Sequence, residues 1–362
     1  MLPDQLLEQG RHVMTVCNAC RYCEAYCPVF PAMENRLVFA DGDLTYLANL
    51  CHNCGECLYA CQYAPPHEFG INVPQTLARI RVASYEAYCW PRPLSAAFRH
   101  QPLLTALLLA SAFLAIFLVA RTSEEAVLRA DFYQVIAHDV MVTLFAAVSV
   151  FVVAAFALGC RRFWRGTTAA SRSDHSRVVS GASPAIGRAL RDALTLRHLH
   201  GGGVDCTAAL DDRAPWRRWF HHATFYGFAL CFASTSVAAF YHLVLGWRAP
   251  YAYTSLPVIL GTLGGAGLVI GPIGLLTLRR TRDDELGDAA QAGLDTSLAA
   301  LLVLTSATGL LLLVLRQTAA MPALLIVHLA IVLALFVSLP YGKFVHGIYR
   351  TAALIRFRTE NY

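Results

Sequence analysis

Residues 17–28 read CNACRYCEAYCP and residues 51–61 read CHNCGECLYAC. Both runs place four cysteines at one spacing: Cys17, Cys20, Cys23 and Cys27 in the first, Cys51, Cys54, Cys57 and Cys61 in the second. Three thiolates spaced by three residues wrap one face of an iron–sulfur cubane, and the fourth reaches across to a second cubane. The spacing therefore assigns Cys17, Cys20, Cys23 and Cys61 to one [4Fe-4S] cluster and Cys51, Cys54, Cys57 and Cys27 to another. Pro28 closes the first run, whereas Gln62 follows the second and Pro65-Pro66 comes later. Structural zinc is the competing reading, but zinc sites favour paired Cys-x2-Cys units over runs of four. Cys89, Cys160, Cys206 and Cys231 fit no such spacing and read as small buried hydrophobes.

Outward from the cysteines, composition divides the chain. Of its 362 residues 56% are hydrophobic and 15% charged, an apolar share above that of soluble domains. Residues 1–90 read as a ferredoxin-like domain for the two clusters, ending in Trp90-Pro91-Arg92-Pro93, a proline-marked boundary. Residues 91–362 hold six apolar runs of membrane-spanning length, near 102–120, 132–158, 219–245, 254–278, 296–315 and 323–345. The expected fold is an α-helical membrane bundle of six transmembrane helices, binding haem b, behind a small 2[4Fe-4S] domain. The fourth run is rich in glycine, including Gly261, Gly264, Gly267 and Gly271, which suits close helix approach in lipid. No spanning run precedes Pro102, so no cleavable signal peptide is expected and the cysteines belong in a reducing compartment.

Charge gives the orientation. The 29 basic residues are all arginine except Lys343. Eleven lie in 159–218, three in 279–295 and four from Lys343 onward, against two, one and one in 121–131, 246–253 and 316–321. Basic residues accumulate on the cytoplasmic side, so both termini and the cysteine domain are expected there, on a bacterial inner membrane. The loop at about 159–218 carries Gly201-Gly202-Gly203 and no apolar stripe, and reads as irregular; those glycines lack the ending of a phosphate loop. No basic patch interleaved with aromatics is present, so the bilayer is an expected partner and nucleic acid is not.

Histidines in the apolar runs supply the second set of ligands. His328 and His346 are 18 residues apart, about five helical turns, and in one continuous helix would share a face about 27 Å apart. His221 and His242 differ by about 60° in helical phase, whereas His222 and His242 differ by about 200°. On antiparallel spans His221 and His346 would then meet at the cytoplasmic level as axial ligands of an inner haem b. His242 and His328 would meet near the far side as an outer pair, with His138 as the rival ligand. Ligand-capable residues inside a bundle are costly and usually functional. Lys343 lies beside His346, where it reaches a haem propionate or a quinone oxygen, or anchors the interface.

Two segments resemble known haem-ligand helices: Arg218-x2-His221-x3-Phe225-Tyr226-Gly227-Phe228 and Leu339-Pro340-Tyr341-Gly342-Lys343-Phe344-Val345-His346. They are similar to the cytochrome b subunits of respiratory nitrate reductases and membrane heterodisulfide reductases. In those families the outer ligand lies about ten residues beyond the inner one, where this chain has Cys231 and Phe232. The whole chain resembles the tricarballylate-utilization protein B family, also called the CitB type, including Leu50-Cys51-His52-Asn53-Cys54-Gly55 and Tyr63-Ala64-Pro65-Pro66-His67-Glu68-Phe69. That resemblance implies a carrier that reoxidises the flavin of a cytoplasmic FAD-dependent tricarballylate dehydrogenase and passes electrons to membrane quinone. Two other readings remain open: a quinol-oxidising subunit that feeds a reductase, and a membrane protein of redox sensing or cluster assembly.

Overall fold

The computed structural model describes residues 2–120, 132–171, 182–199 and 214–360. Cys206 and Gly201-Gly202-Gly203 lie outside them. The long elements are helices, and the first five form the cysteine-bearing end: α1 (Asp4–Cys20), α2 (Val29–Glu34), α3 (Asp41–Leu50), α4 (Glu56–Tyr59) and α5 (Val73–Tyr88). α1 stops because Arg21 turns left-handed, φ 54°, and gives its N–H to the Cys17 carbonyl at 2.8 Å. Cys17 and Cys20 thus sit on a closing helical turn, and Cys23 follows in a loop. α5 begins at an Asn72 cap, whose side chain accepts the Gln75 N–H at 3.0 Å, with Pro74 in its first turn.

α6 (Arg92–His100) leads into the apolar part: α7 (Pro102–Ala120), α8 (Phe132–Val135), α9 (His138–Ser171), α10 (Ala182–Leu194), α11 (Ala214–Leu243), α12 (Leu256–Arg280), α13 (Ala289–Leu315), α14 (Met321–Ser338) and α15 (Val345–Glu360). Six of these, α7, α9, α11, α12, α13 and α14, are long and apolar enough to cross a membrane, one for each expected run. Glycines on α12 bring it against α11. A Cβ at Gly264 would lie 2.8 Å from the Cys231 nitrogen and 2.8 Å from the Gly227 oxygen, so two backbones nearly touch there.

Three features depart from the expected pattern. α9 runs to Ser171, 34 residues or about 51 Å, so it continues past any bilayer into the segment read as a loop. In that same segment α10 forms and buries Ala185 and Ala189. The last span ends at Ser338, not 345. Pro340, without an N–H, and Gly342 sit in the break, and α15 starts afresh at Val345, so His328 and His346 do not share one continuous helix.

The hydrophobic core under the cysteine loops is shared. Met14, Phe30, Leu47, Leu77 and Tyr85 pack with Phe163 of α9, Ala189 of α10 and Tyr349, Leu354 and Phe357 of α15. A buried charge network closes the same seam: Arg36 Nε meets Asp43 Oδ1 at 2.7 Å, Arg36 Nη2 meets Glu360 Oε1 at 3.0 Å, and Arg356 Nε meets Glu360 Oε1 at 2.7 Å. Arg356 also lies 4.1 Å over the Tyr46 ring. Residues 2–90 and the C-terminal helix therefore form one packed unit on one end of the bundle.

Candidate functional site

The eight motif cysteines surround two adjoining cavities. One is lined by Cys17, Cys20, Cys23 and Cys61, the other by Cys27, Cys51 and Cys54, and Cys57 lines both. Each motif thus sends its fourth cysteine to the other's cavity. Among the described residues no three His, Cys, Asp or Glu side chains are grouped closely enough to hold a single metal ion. Burial pushes the Cys17 thiol up to about 12, with repulsion from Cys61, Cys23 and Cys20 adding to it. Cys27 is raised well above its ordinary value by burial, then by Cys54 and Cys51. Such thiols ionise only against compensating positive charge, which bound iron would supply.

The Cys51–Cys57 loop is the more tightly built of the two. Asn53, 3% exposed and left-handed at φ 54°, gives its N–H to Cys51 Sγ at 3.3 Å, and both polar atoms of its side chain are buried without a partner. Gly55 has φ 100°, and a Cβ there would lie 2.9 Å from both methyls of Leu286, in the turn between α12 and α13. Glycine is needed for the turn and for the close approach together. Arg217 on α11 donates to the His52 carbonyl at 3.1 Å and to the Asn53 carbonyl at 3.2 Å. Arg350 on α15 donates to the Cys51 carbonyl at 2.5 Å, and Arg282, just beyond α12, donates to the Asn53 carbonyl.

One helical turn from Arg217 stands His221, and one turn from Arg350 stands His346. Their ring centroids are 6.2 Å apart at 76°. Two imidazoles on opposite sides of one metal, each nitrogen about 2 Å from it, place their centroids roughly 6 Å apart. His346 Nδ1 lies 2.7 Å from the Lys343 carbonyl; donating there leaves Nε2 free for a metal. Burial holds His346 well below its ordinary value, helped by Lys343 and Arg350, so its ring is in the neutral form that ligates. His221 Nδ1 is buried without a partner. His222 instead stacks on Tyr226, centroids 5.6 Å apart, and lies 3.4 Å from Arg218.

The other candidates fall elsewhere. His242 lies against His138, centroids 4.2 Å apart, with the Tyr133 hydroxyl 3.4 Å from its Nδ1. His328 faces α13, its Nδ1 3.0 Å from the Thr308 hydroxyl. No ring contact joins His242 to His328 among the described residues. Lys343 forms a 2.8 Å ion pair with Asp295 of α13. Sequence reasoning singled out none of Arg217, Arg282, Arg350 and Asp295. The signal for two of them was present, since Arg217 precedes His221 by four residues and Arg350 follows His346 by four.

Two cysteine runs beside six helices of membrane-spanning length suggest an iron–sulfur protein and are compatible with the multi-pass membrane class. The family model described as citrate utilization protein B matches residues 94–362, and that of its Fer4-like domain matches residues 10–87. Citrate utilization protein B of Escherichia coli is 47% identical over 354 residues, 96% of this chain and 91% of the relative. This chain belongs to the citrate utilization protein B family. No solved structure matches it.

Proposed function

We propose that this protein carries electrons from a cytoplasmic FAD-dependent dehydrogenase, through two [4Fe-4S] clusters and haem b, to quinone in the bilayer. The service is to the use of citrate or tricarballylate, after its relatives. One observation carries the reading: the backbone of Cys51–Asn53 is gripped by Arg217 and Arg350, each one turn from the facing His221 and His346. A cysteine quartet and a paired-imidazole site are thereby fastened to each other across the domain seam.

Bound clusters and haem would supply one-electron carriage between a two-electron flavin and a two-electron quinone. The chain's part is placement. Cys17, Cys20, Cys23 and Cys61 hold the outer group, and Cys27, Cys51, Cys54 and Cys57 hold the one beside the membrane helices. His221 and His346 hold haem from two helices, with the Lys343 carbonyl orienting one ring. In a bacterial inner membrane the arginine distribution supports cytoplasmic termini, which would put the quartets where a soluble flavoprotein reaches them.

Anaerobic purification should yield about eight non-haem irons per chain with matching sulfide, since two cubanes hold four each. A reduced FAD dehydrogenase should then reduce haem and added quinone. Zinc in the cysteine sites, or a preparation without haem, would sink the reading.

A further inference from the structure

The two cysteine quartets have the same spacing and different surroundings. Around Cys51, Cys54, Cys57 and Cys27, three successive carbonyls, those of Cys51, His52 and Asn53, accept hydrogen bonds from guanidinium groups. Arg217, Arg282 and Arg350 reach them from α11, from the turn after α12 and from α15. In the same loop the Asn53 N–H donates to Cys51 Sγ at 3.3 Å. Glu56 and Asp295 oppose the arginines, but Asp295 is already paired with Lys343 at 2.8 Å.

The quartet of Cys17, Cys20, Cys23 and Cys61 is arranged otherwise. Its neighbouring amide, Gln62 Nε2, is 4.0 Å from Cys20 Sγ. The nearest arginine in sequence, Arg21, is exposed, donates to the Asn18 carbonyl at 3.1 Å, and faces Glu34 beside Glu24. Water screens a charge so placed.

Reduction adds negative charge to a cluster, so fixed cations and N–H donors aimed at its sulfurs favour the reduced form. On the reading that both quartets hold clusters, we propose that Arg217, Arg282 and Arg350 raise the reduction potential of the group held by Cys27, Cys51, Cys54 and Cys57 above that of the other. They are positioning residues. They make the membrane-side station the one where electrons collect, next to His221 and His346, and so give the relay its direction.

The test is a redox titration of the full-length, anaerobically purified protein, followed by electron paramagnetic resonance. Cys54→Ser and Cys20→Ser identify which signal belongs to which quartet. The signal lost in C54S should titrate at the higher potential in the unaltered protein. Arg282→Gln and Arg350→Gln, made singly, should each weaken reduction of that group about tenfold, about 59 mV for one electron, while the other signal stays in place. Arg282→Lys and Arg350→Lys, which keep the charge, should recover most of the shift; a purely structural role would lower cluster content without moving the potential. Should the Gln variants fail to assemble that group, the order of the two signals in the unaltered protein decides. A C54S-sensitive signal at the lower potential overturns the proposal, as does one that Gln leaves unmoved or shifts equally with the other. Protein with no clusters at all would instead overturn the relay reading beneath it.

Discussion

α11 carries a histidine near each end, and the two ends meet different fates. At the end bearing the cysteine domain, His221 faces His346 across 6.2 Å, beneath arginines that grip the Cys51–Asn53 loop. At the other end His242 lies tilted against His138, ring centroids 4.2 Å apart, and His328 turns to Thr308. Phase along one helix decides which histidines share a face; the neighbouring helices decide which of them meet. At the near end the break after Ser338 returns the chain into the cysteine domain, and α15, locked there by Glu360 on Arg36 and Arg356 on Asp43, delivers His346 to α11. At the far end no equivalent element redirects His328 among the described residues.

The largest expected effect tests this difference directly. His221→Ala or His346→Ala should abolish the absorbance of the haem at the cysteine-domain end and its reduction by the flavoprotein, while cluster reduction persists. His222→Ala should leave the spectrum largely unchanged, because that ring is occupied with Tyr226 and Arg218. His242→Ala and His328→Ala should each spare the near-end absorbance. Loss of all haem in either would break the comparison, since the two ends would then be one coupled site.

A smaller effect concerns the helix pair that carries His221. Gly264→Val places a branched side chain where even a Cβ meets the Cys231 nitrogen and the Gly227 oxygen at 2.8 Å. Both contacts are backbone, so relief requires the helices to part. Overpacking of this kind costs about 1–3 kcal/mol, read as a lower thermal midpoint. Haem at the near end should weaken with it, as should the group held by Cys27, Cys51, Cys54 and Cys57, whose loop Arg217 and Arg282 grip, whereas the group held by Cys17, Cys20, Cys23 and Cys61 should stay. Equal loss of both groups would mean that the α11–α12 contact supports the whole molecule.

The two cysteine runs were legible because each fixed spacing lies within a dozen residues, which is local information, and the Fer4-like match over residues 10–87 spans them both. The six spans were legible because bilayer thickness sets a minimum length for any apolar helix. α10 was not legible: its buried face is made of Ala185 and Ala189, too small to mark an apolar stripe, while Ile186 and Leu190 stay outward. The end of α14 was hidden by an apolar composition that runs through Pro340 into Val345, so hydropathy continued where the helix did not. The arginine grip was illegible for a different reason. Its acceptors are backbone carbonyls more than 160 residues away in sequence, and carbonyls carry no residue-type signal.

Lys343 offers the finest distinction. Its Nζ pairs with Asp295 at 2.8 Å, and its carbonyl faces His346 Nδ1 at 2.7 Å, so one residue ties the break after α14 both to α13 and to the His346 ring. The two ties separate under mutation, because Lys343→Met removes the ammonium and keeps the carbonyl. Leaving Asp295 without its partner costs about 1–3 kcal/mol where the group is buried; with its side chain 28% exposed, water softens the loss toward about 1 kcal/mol. Removing the carboxylate as well, in Lys343→Met with Asp295→Leu, should restore most of the thermal midpoint, since neither charge is then stranded. Throughout, the near-end haem spectrum and potential should hold, His346 being oriented by main chain alone. A shifted haem potential in Lys343→Met that the double variant fails to restore would place the ammonium against a propionate instead, and the ion pair with Asp295 would no longer be its main employment.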